Sequence, residues 1–235
     1  MSPPLPHAGY DGLNETSDAQ QWGDIHEKFD GDRLDIDGHP VMQKWEAPYM
    51  HALAEIATSN GGRVLELGFG LGLSASAVQK HDIDEHIIIE ANKDVFKRLE
   101  AFASKAPHKV TPMLGLAREV VATLPDNSID GILYDTYPHD KDEQHTHQFK
   151  FIKEAYRVLK PGGVLTYCNL TSIGSFIVGE YESWQELWEK TQLPHVRACG
   201  FNDAGIKPIR IFPVTPDQGC EYYEHSEALI PVLYK

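Results

Sequence analysis

Val64-Leu-Glu-Leu-Gly-Phe-Gly-Leu-Gly-Leu73 is the stretch that decides the fold of this chain. An apolar run typical of a β-strand leads into glycines at alternate positions, Gly68, Gly70 and Gly72, and the small residues 74–78 follow with a helical composition. Glycine at a strand-to-helix turn permits positive φ and lets a ligand lie against bare backbone. The helix start behind it offers unpaired N–H groups to a polar ligand. The stretch therefore predicts a ligand site at the end of a first strand.

The next apolar run, His86-Ile-Ile-Ile-Glu90, ends in an acid. An acid at the tip of the second strand is placed to accept hydrogen bonds from both hydroxyls of a ribose, which predicts an adenosine-type cofactor. The glycine spacing is G-x-G-x-G and not the G-x-G-x-x-G of dinucleotide sites. With Glu66 in front, the pattern Glu-x-Gly-x-Gly-x-Gly is typical of class I methyltransferases, whose cofactor has no pyrophosphate. The pattern favours S-adenosyl-L-methionine over a nicotinamide cofactor.

Strand and helix patterns alternate from Arg63 onward. Strands are expected near 63–68, 86–90, 108–113, 129–135 and 163–168, and helices near 72–80, 93–104, 116–123 and 146–159. This alternation predicts an α/β fold, a doubly wound Rossmann-like sheet that is mostly parallel and has helices on both faces. A helix is expected near 182–192. The extended runs 207–213 and 222–234 have no helix between them, which predicts an antiparallel pair at the sheet edge and an antiparallel last strand.

The N-terminal part differs in composition from the rest. Residues 1–40 are rich in Pro, Gly, Asp and Asn and are interpreted as an arm or lid, whereas residues 41–235 form a single domain. Within 35–40 a turn is expected, with Pro40 at the first position of a helix. Apolar residues then recur at helical spacing from Val41 to Ile56, and Pro48 predicts a kink or restart near Glu46.

The composition of the chain limits the kinds of molecule that it is expected to bind. The chain has 235 residues and a formal net charge of −14, which repels phosphate backbones and anionic membranes and favours a small cationic substrate. Three cysteines without metal-site spacing and an N-terminus without a secretory signal pattern indicate a reducing, cytoplasmic location and no metal. A monomer or homodimer is expected.

The fourth strand, within Ile129-Asp-Gly-Ile-Leu-Tyr-Asp-Thr-Tyr-Pro138, is apolar in its middle and polar at its carboxyl end. In an open α/β sheet, ligands bind outside the carboxyl ends of the strands where the strand order reverses. Asp135 is therefore expected to face the glycine turn, beside the reactive end of the cofactor. Tyr137 follows on the same side of an extended chain.

Four stretches are similar to one known family. They are Val41-Met-Gln-Lys-Trp-Glu-Ala-Pro-Tyr-Met-His-Ala-Leu-Ala54, Gly131-Ile-Leu-Tyr-Asp-Thr-Tyr-Pro138, His145-Thr-His-Gln-Phe149 and Leu159-Lys-Pro-Gly-Gly-Val-Leu-Thr-Tyr-Cys-Asn-Leu-Thr-Ser172. Together they resemble the guanidinoacetate N-methyltransferase family over residues 40 to 175. The resemblance implies a class I methyltransferase fold and the conversion of guanidinoacetate to creatine with S-adenosyl-L-methionine as methyl donor.

The resemblance also implies site residues. The positions that would contact the cofactor are Trp22, Met42, Met50, Phe69, Gly70, Leu71, Gly72, Leu73, Ser74, Glu90, Ala91, Asn92, Ala117, Arg118 and Asp135. The positions that would contact the substrate are Met42, Glu46, Asp135, Tyr137, Thr171 and Ser172. Glu46 and Asp135 would hold the guanidinium, with Asp135 accepting a proton during methyl transfer, and Thr171 and Ser172 would receive the substrate carboxylate.

Several positions depart from the family pattern. Ala117 and Arg118 stand where the family has a tryptophan and an acid at the adenine edge, and Ile173 replaces a tryptophan after the Thr-Ser pair. A methyltransferase acting on a different guanidine, an amine or an indole-type carbon is therefore an open alternative. An NAD-dependent oxidoreductase and a non-catalytic cofactor-binding protein remain as further alternatives. His145 and His147 are interpreted as solvent-facing residues, and packing roles are expected for Trp184, Trp188, Tyr222 and Tyr223.

Overall fold

A computed structural model describes residues 22–137, 149–170 and 181–235. Its strands, in chain order, are β1 (Glu27–Phe29), β2 (Arg33–Ile36), β3 (His39–Gln43), β4 (Arg63–Leu67), β5 (Glu85–Glu90), β6 (Val110–Leu114), β7 (Ile129–Tyr134), β8 (Leu159–Tyr167), β9 (Arg210–Pro213), β10 (Glu227–Ile230) and β11 (Leu233–Tyr234). Its helices are α1 (Ala47–Ala57), α2 (Leu73–Val78), α3 (Lys93–Ala103), α4 (Ala117–Val121), α5 (Phe149–Val158), α6 (Trp184–Leu187) and α7 (Leu193–Ala198).

The central sheet has six strands in the order β11-β8-β7-β4-β5-β6. All neighbouring pairs are parallel except β11 with β8, as the sequence predicts. Helices cover both faces because alternate residues of a strand point to opposite sides. On β4, Leu65 and Leu67 pack in the cluster that contains α4 and α5 residues, whereas Val64 packs in the cluster built on α1 and α2.

The strand order reverses between β4 and β7, so the carboxyl ends of these two strands meet at the site predicted for a ligand. The backbone N–H of Asp135 donates to the carbonyl of Leu67 across 2.9 Å. Gly68 has φ +87°, and a Cβ built there would collide with the carbonyl oxygen of Asp135. Glycine is thus required because the backbones of the two strand ends lie in direct contact.

The N-terminal residues correct two predictions. Residues 27–43, most of them assigned to the arm, form an antiparallel sheet of β1, β2 and β3. Asp37 and Gly38 both have positive φ and make its hairpin turn, so Pro40 lies in a strand and does not start a helix. The helical spacing from Val41 onward also predicted the wrong structure for residues 41–43, which are in β3. A short 3₁₀ turn over Lys44–Glu46 then leads into α1, which confirms the predicted restart near Glu46.

The C-terminal part also differs from expectation. The antiparallel pair forms, but β9 and β10 make a sheet of their own, and only β11 joins the central sheet. Tyr222 and Tyr223 precede β10 and lie in no strand, although an extended run was expected from residue 222. Both pack in the cluster that contains Ala228 and Ile230 of β10, as their predicted packing roles require. The helix expected near 182–192 is present and runs without a break from Trp184 to Ala198, as α6, a π-helical turn over Trp188–Gln192, and α7. In the part of the chain described, every helix is too short or too polar to cross a membrane.

Candidate active site

A cleft opens at the carboxyl ends of β4, β5 and β7, beneath the N-terminal sheet. Many of the residues predicted for the site line it together: Trp22, Met42, Glu46, Gly70, Glu90, Ala91, Ala117, Arg118, Asp135 and Tyr137. Most of these residues are distant in sequence, and the fold brings them to one place. We call the part around Glu90 the cofactor half and the part around Glu46 and Asp135 the substrate half, after the ligands that the sequence predicts for them.

In the cofactor half, the carboxylate of Glu90 is fixed by backbone donors. The N–H of Phe69 donates to one oxygen across 2.9 Å, and the N–H of Asn92 donates to the other across 2.8 Å. Burial raises the pKa of Glu90, and these backbone hydrogen bonds oppose the rise. The carboxylate therefore stands at the cleft wall in a set orientation, with free lone pairs that suit a pair of ribose hydroxyls.

The glycine turn is shaped by Met42, which reaches it from β3. A Cβ at Gly70, where φ is +51°, would lie 2.8 Å from the sulfur of Met42. The backbone N–H of Leu71 points at the same sulfur, 3.3 Å away. The N-terminal sheet thus closes directly on the turn, and the bare backbone of Gly70 leaves room that a side chain would fill.

Apart from Asn92, six predicted cofactor residues are not among those that line the cleft: Met50, Phe69, Leu71, Gly72, Leu73 and Ser74. Met50 lies in α1 and is fully buried in the core. The ring of Phe69 packs on Phe102, with centroids 5.5 Å apart, and the hydroxyl of Ser74 donates to the buried Glu66. In the structure, the side chains of Met50 and Phe69 pack against other residues, and that of Ser74 forms a hydrogen bond near the glycine turn. Their contact with the cofactor stays a prediction.

Asn92 is likewise absent from the cleft lining, and it links the cleft to the N-terminal segment. Its side-chain oxygen caps α3 by accepting from Asp94 and Val95, and its amide donates to the carbonyls of Trp22 and Ile25. Trp22 is held in this way at the rim. Its ring stacks on Tyr137, with centroids 5.0 Å apart and ring planes within 9° of parallel.

In the substrate half, Glu46 is buried, at 4% exposure, and begins α1. Its Oε1 accepts from the backbone N–H of Gln43 across 2.7 Å and from the hydroxyl of Tyr222 across 2.5 Å. Burial is the largest cause that raises the pKa of Glu46 to about 8, and the charge of Asp135 adds to it.

Asp135, partly exposed to the cleft, follows β7 and has the thiol of Cys168 as a hydrogen-bond partner. Exclusion of water by the surrounding protein raises the pKa of Asp135 to about 6, against the effect of that hydrogen bond. Within the described ranges, no lysine or arginine forms an ion pair with Glu46 or Asp135. Glu46 and Asp135 are thus two neighbouring carboxyl groups with raised pKa. A positive charge beside them would favour the ionised form of both.

The family model of guanidinoacetate N-methyltransferase matches residues 13–235. The chain belongs to this family. It is therefore a methyltransferase that uses S-adenosyl-L-methionine, and the oxidoreductase alternative is set aside. The turn at Gly68 and Gly70, the fixed carboxylate of Glu90 and the absence of a dinucleotide spacing all fit that cofactor.

The curated relatives carry a different name. Protein arginine N-methyltransferase 2 of Eremothecium gossypii is 23% identical over 196 residues, which is 80% of this chain and 46% of the relative. The protein of the same name from Yarrowia lipolytica is 28% identical over 137 residues, 55% of this chain and 28% of the relative. The chain thus spans less than half the length of these relatives.

Solved structures agree on the fold. A S-adenosylmethionine-dependent methyltransferase from Archaeoglobus fulgidus superposes with a TM-score of 0.52 at 17% identity, covering 80% of this chain and 94% of that one. A spermidine synthase in complex with a transition-state analogue gives a TM-score of 0.59 at 18% identity, covering 86% of this chain and 64% of that one. At these identities the likeness concerns the fold alone.

Sequence reasoning missed part of the cleft of this methyltransferase. Leu34 and Ile36 line it from β2, and Cys168 and Leu170 line it beyond β8. The rule that placed Asp135 at a strand end applies equally to Cys168, which directly follows the fifth parallel strand. The pattern of apolar residues at alternate positions in 33–36 was the signal for a half-buried strand. Thr171, Ser172, Ile173, His145 and His147 lie outside the described residues.

Proposed function

We propose that this methyltransferase transfers a methyl group to a guanidino nitrogen of a small substrate that contains a guanidinium cation, and that guanidinoacetate is the substrate and creatine the product. The observation that carries the proposal is the pair of acids Glu46 and Asp135. Both line the cleft, both have a raised pKa, and neither has a cationic partner among the described residues. A positively charged substrate would supply the missing charge.

A guanidinium matches this pair in shape as well as in charge. It is a planar fork of N–H donors, and each carboxylate can accept two hydrogen bonds from such a fork. When it binds, the positive charge favours the ionised form of Glu46 and Asp135, and the pKa of both falls. A simple ammonium group offers a point charge without the fork, so the pair would hold it with less directional selectivity.

The chemistry that we propose for the site follows from the same two residues. S-adenosyl-L-methionine, when bound, supplies an electrophilic methyl group. Glu46 and Asp135 hold the guanidino nitrogen in line with it, which removes much of the entropic cost of the encounter. A protonated guanidinium has no free lone pair on the attacking nitrogen, so Asp135 accepts one proton as the nitrogen–carbon bond forms. Glu46 stabilises the positive charge that stays on the product.

The remaining site and partner predictions belong to the same proposal. Thr171 and Ser172 would receive the substrate carboxylate, and residues 1–40 would act as an arm over the cleft, since Trp22, Leu34 and Ile36 of this part line it. The net charge of −14 fits a small cationic substrate and disfavours nucleic acid and anionic membrane surfaces. A cytoplasmic location and a monomeric or dimeric state complete the proposal.

One alternative substrate has a specific observation in its favour. The relatives from Eremothecium gossypii and Yarrowia lipolytica are named as protein arginine N-methyltransferases, and an arginine side chain also carries a guanidinium. The acid pair would hold either substrate. The two substrates differ in what the guanidinium is attached to, which is a free carboxylate group in guanidinoacetate and a peptide backbone in a protein arginine.

A methyl-transfer assay with a panel of acceptors tests the proposal. The protein and S-adenosyl-L-methionine are mixed with guanidinoacetate, arginine, an arginine-containing peptide, a simple amine or an indole, and products are read by mass spectrometry. Methylated guanidinoacetate at the highest kcat/KM is the expected result. Methylation of the peptide alone would move the substrate to protein arginine, and methylation of the amine or indole alone would contradict the guanidinium role of Glu46 and Asp135.

A further inference from the structure

Tyr222, near the far end of the chain, places its hydroxyl beside Glu46 of the substrate half. It lies in the segment between β9 and β10, and its hydroxyl donates to Oε1 of Glu46 across 2.5 Å. The N–H of Gln43 donates to the same oxygen across 2.7 Å. Among the described residues, the protein's hydrogen bonds to Glu46 all go to Oε1.

We propose that Tyr222 is a positioning residue, which holds Oε1 of Glu46 against the protein and leaves Oε2 for the substrate guanidinium. The inference rests on the proposed function, because it assigns how one of the two guanidinium-binding acids is oriented. A carboxylate with one fixed oxygen presents the other in one direction, and directional acceptors distinguish a planar fork of donors from an ammonium group.

The surroundings hold the tyrosine in place. Its ring stacks against Trp45, with centroids 6.0 Å apart, and the indole N–H of Trp45 donates to the side chain of Gln43 across 2.8 Å. The side chain of Gln43 and Glu46 also form a reciprocal capping pair at the 3₁₀ turn before α1. Tyr222 is thus part of a connected polar network that includes the backbone at the start of the helix.

The charge state of the pair supports a donor role for Tyr222. Burial and the negative charge of Glu46 raise the pKa of the Tyr222 phenol, so the hydroxyl keeps its proton. Its hydrogen bond lowers the pKa of Glu46, against burial and the charge of Asp135. The other titratable groups near Glu46 are Cys168 and Cys220, whose pKa values are both raised by burial, so these thiols stay neutral.

A tyrosine next in sequence provides the matched control. The hydroxyl of Tyr223 donates to the backbone carbonyl of Glu227 across 2.6 Å and does not contact Glu46. Tyr222→Phe and Tyr223→Phe therefore remove the same atom from neighbouring residues. The Kd of guanidinoacetate is measured by calorimetry in the presence of S-adenosylhomocysteine from pH 7 to 9.5, with the melting temperature and the Kd of S-adenosylhomocysteine as checks on folding.

Loss of a hydrogen bond to a charged group predicts that Tyr222→Phe weakens guanidinoacetate binding by about tenfold at pH 7.5. Without the phenol, Glu46 ionises at higher pH, so the loss should shrink to about threefold near pH 9.5. In Tyr222→Phe, the KM for guanidinoacetate is expected to rise by a larger factor than kcat falls. Tyr223→Phe should match the wild type at every pH. 3,5-Difluorotyrosine at position 222 is a more acidic donor of nearly the same shape. It should shift the pH dependence of the guanidinoacetate Kd toward lower pH, opposite to the shift in Tyr222→Phe.

Two results would overturn the inference. One is a Tyr222→Phe protein that binds like Tyr223→Phe throughout the pH range, and the other is a loss that does not vary with pH in both the Phe and difluorotyrosine proteins. Failure of the proposed function is distinguished by the wild type, which would then neither bind nor methylate guanidinoacetate. In that case the same pH series with methylguanidine still tests the Tyr222 contact.

Discussion

The two halves of the cleft use carboxylates in opposite ways. In the cofactor half, Glu90 accepts backbone N–H groups on both oxygens, from Phe69 and Asn92. In the substrate half, Glu46 has donors on one oxygen only, and Asp135 has a thiol as its side-chain partner. Backbone donors thus hold both oxygens of Glu90, whereas only one oxygen of Glu46 is held by the described part of the protein.

The difference indicates which ligand each half is built to hold. Hydroxyl groups of a ribose are neutral and need an acceptor in a fixed direction, which the backbone around Glu90 provides. A guanidinium is charged and gains most from acids whose ionised form is poorly stabilised beforehand, because its binding removes that penalty. The raised pKa values of Glu46 and Asp135 are therefore a property of the free protein that the bound cation should reverse.

The largest effect is expected from Asp135→Asn, which keeps the shape of the side chain and removes the proton acceptor. Loss of a general base costs about 10²–10⁴-fold, and half of the negative charge in the substrate half is lost as well, so kcat should fall at least about 10³-fold. Binding of S-adenosylhomocysteine should persist. Asp203→Asn, at an exposed residue paired with Arg197, is the control. Turnover close to that of the control would refute the role of Asp135.

The next effect concerns Glu46 and pH. Its pKa of about 8 means that the carboxyl is neutral below that pH, whereas a guanidinium stays charged throughout. The kcat/KM for guanidinoacetate should therefore rise as the pH increases from 6 to 9. Glu46→Gln should raise KM by about 100-fold at pH 8.5, near the upper end for a charged hydrogen bond, and should flatten the pH profile above pH 7.

Glu55→Gln offers the control for this measurement, because Glu55 lies exposed on α1, the helix that Glu46 immediately precedes. It should leave both KM and the pH profile unchanged. A profile for Glu46→Gln that still rises between pH 7 and 9 would show that another group sets the ionisation, and Glu46 would lose its assigned part in cation binding.

Glu90→Gln tests the cofactor half. The amide retains one acceptor oxygen and turns a donor toward a backbone N–H, so the prearranged geometry is partly lost. The KM for S-adenosyl-L-methionine should rise by about ten- to thirtyfold, as expected for a hydrogen bond to a charged group, while the pH dependence of guanidinoacetate binding stays that of the wild type. Glu100→Gln, on an exposed face of α3, is the control. If Glu90→Gln changed only the binding of guanidinoacetate, Glu90 would not belong to a separate cofactor half.

The sequence predicted the surroundings of Glu90 and Asp135 better than those of Glu46, for a physical reason. The sheet, the glycine turn, Glu90 and Asp135 follow from local patterns, because each lies at the end of a strand that periodicity locates. The surroundings of Glu46 do not, since they depend on Gln43 in a short strand that periodicity gave to a helix, and on Tyr222, 176 positions away along the chain. Long-range polar contacts of this kind leave no periodic signal.

Arg118 should give the smallest effect and so tests how far side chains matter at the adenine edge. Its side chain is 71% exposed, and its nearest acid, Glu119, is 4.0 Å away, so the structure gives it no fixed direction. A donor-only side chain cannot accept from the adenine amino group. Arg118→Ala should therefore change the KM for S-adenosyl-L-methionine by less than about twofold, as a surface substitution does. Glu119→Ala serves as the neighbouring control. A tenfold rise confined to Arg118→Ala would mean that this arginine folds onto the cofactor, and that the cofactor half is completed by a charged side chain as well as by backbone.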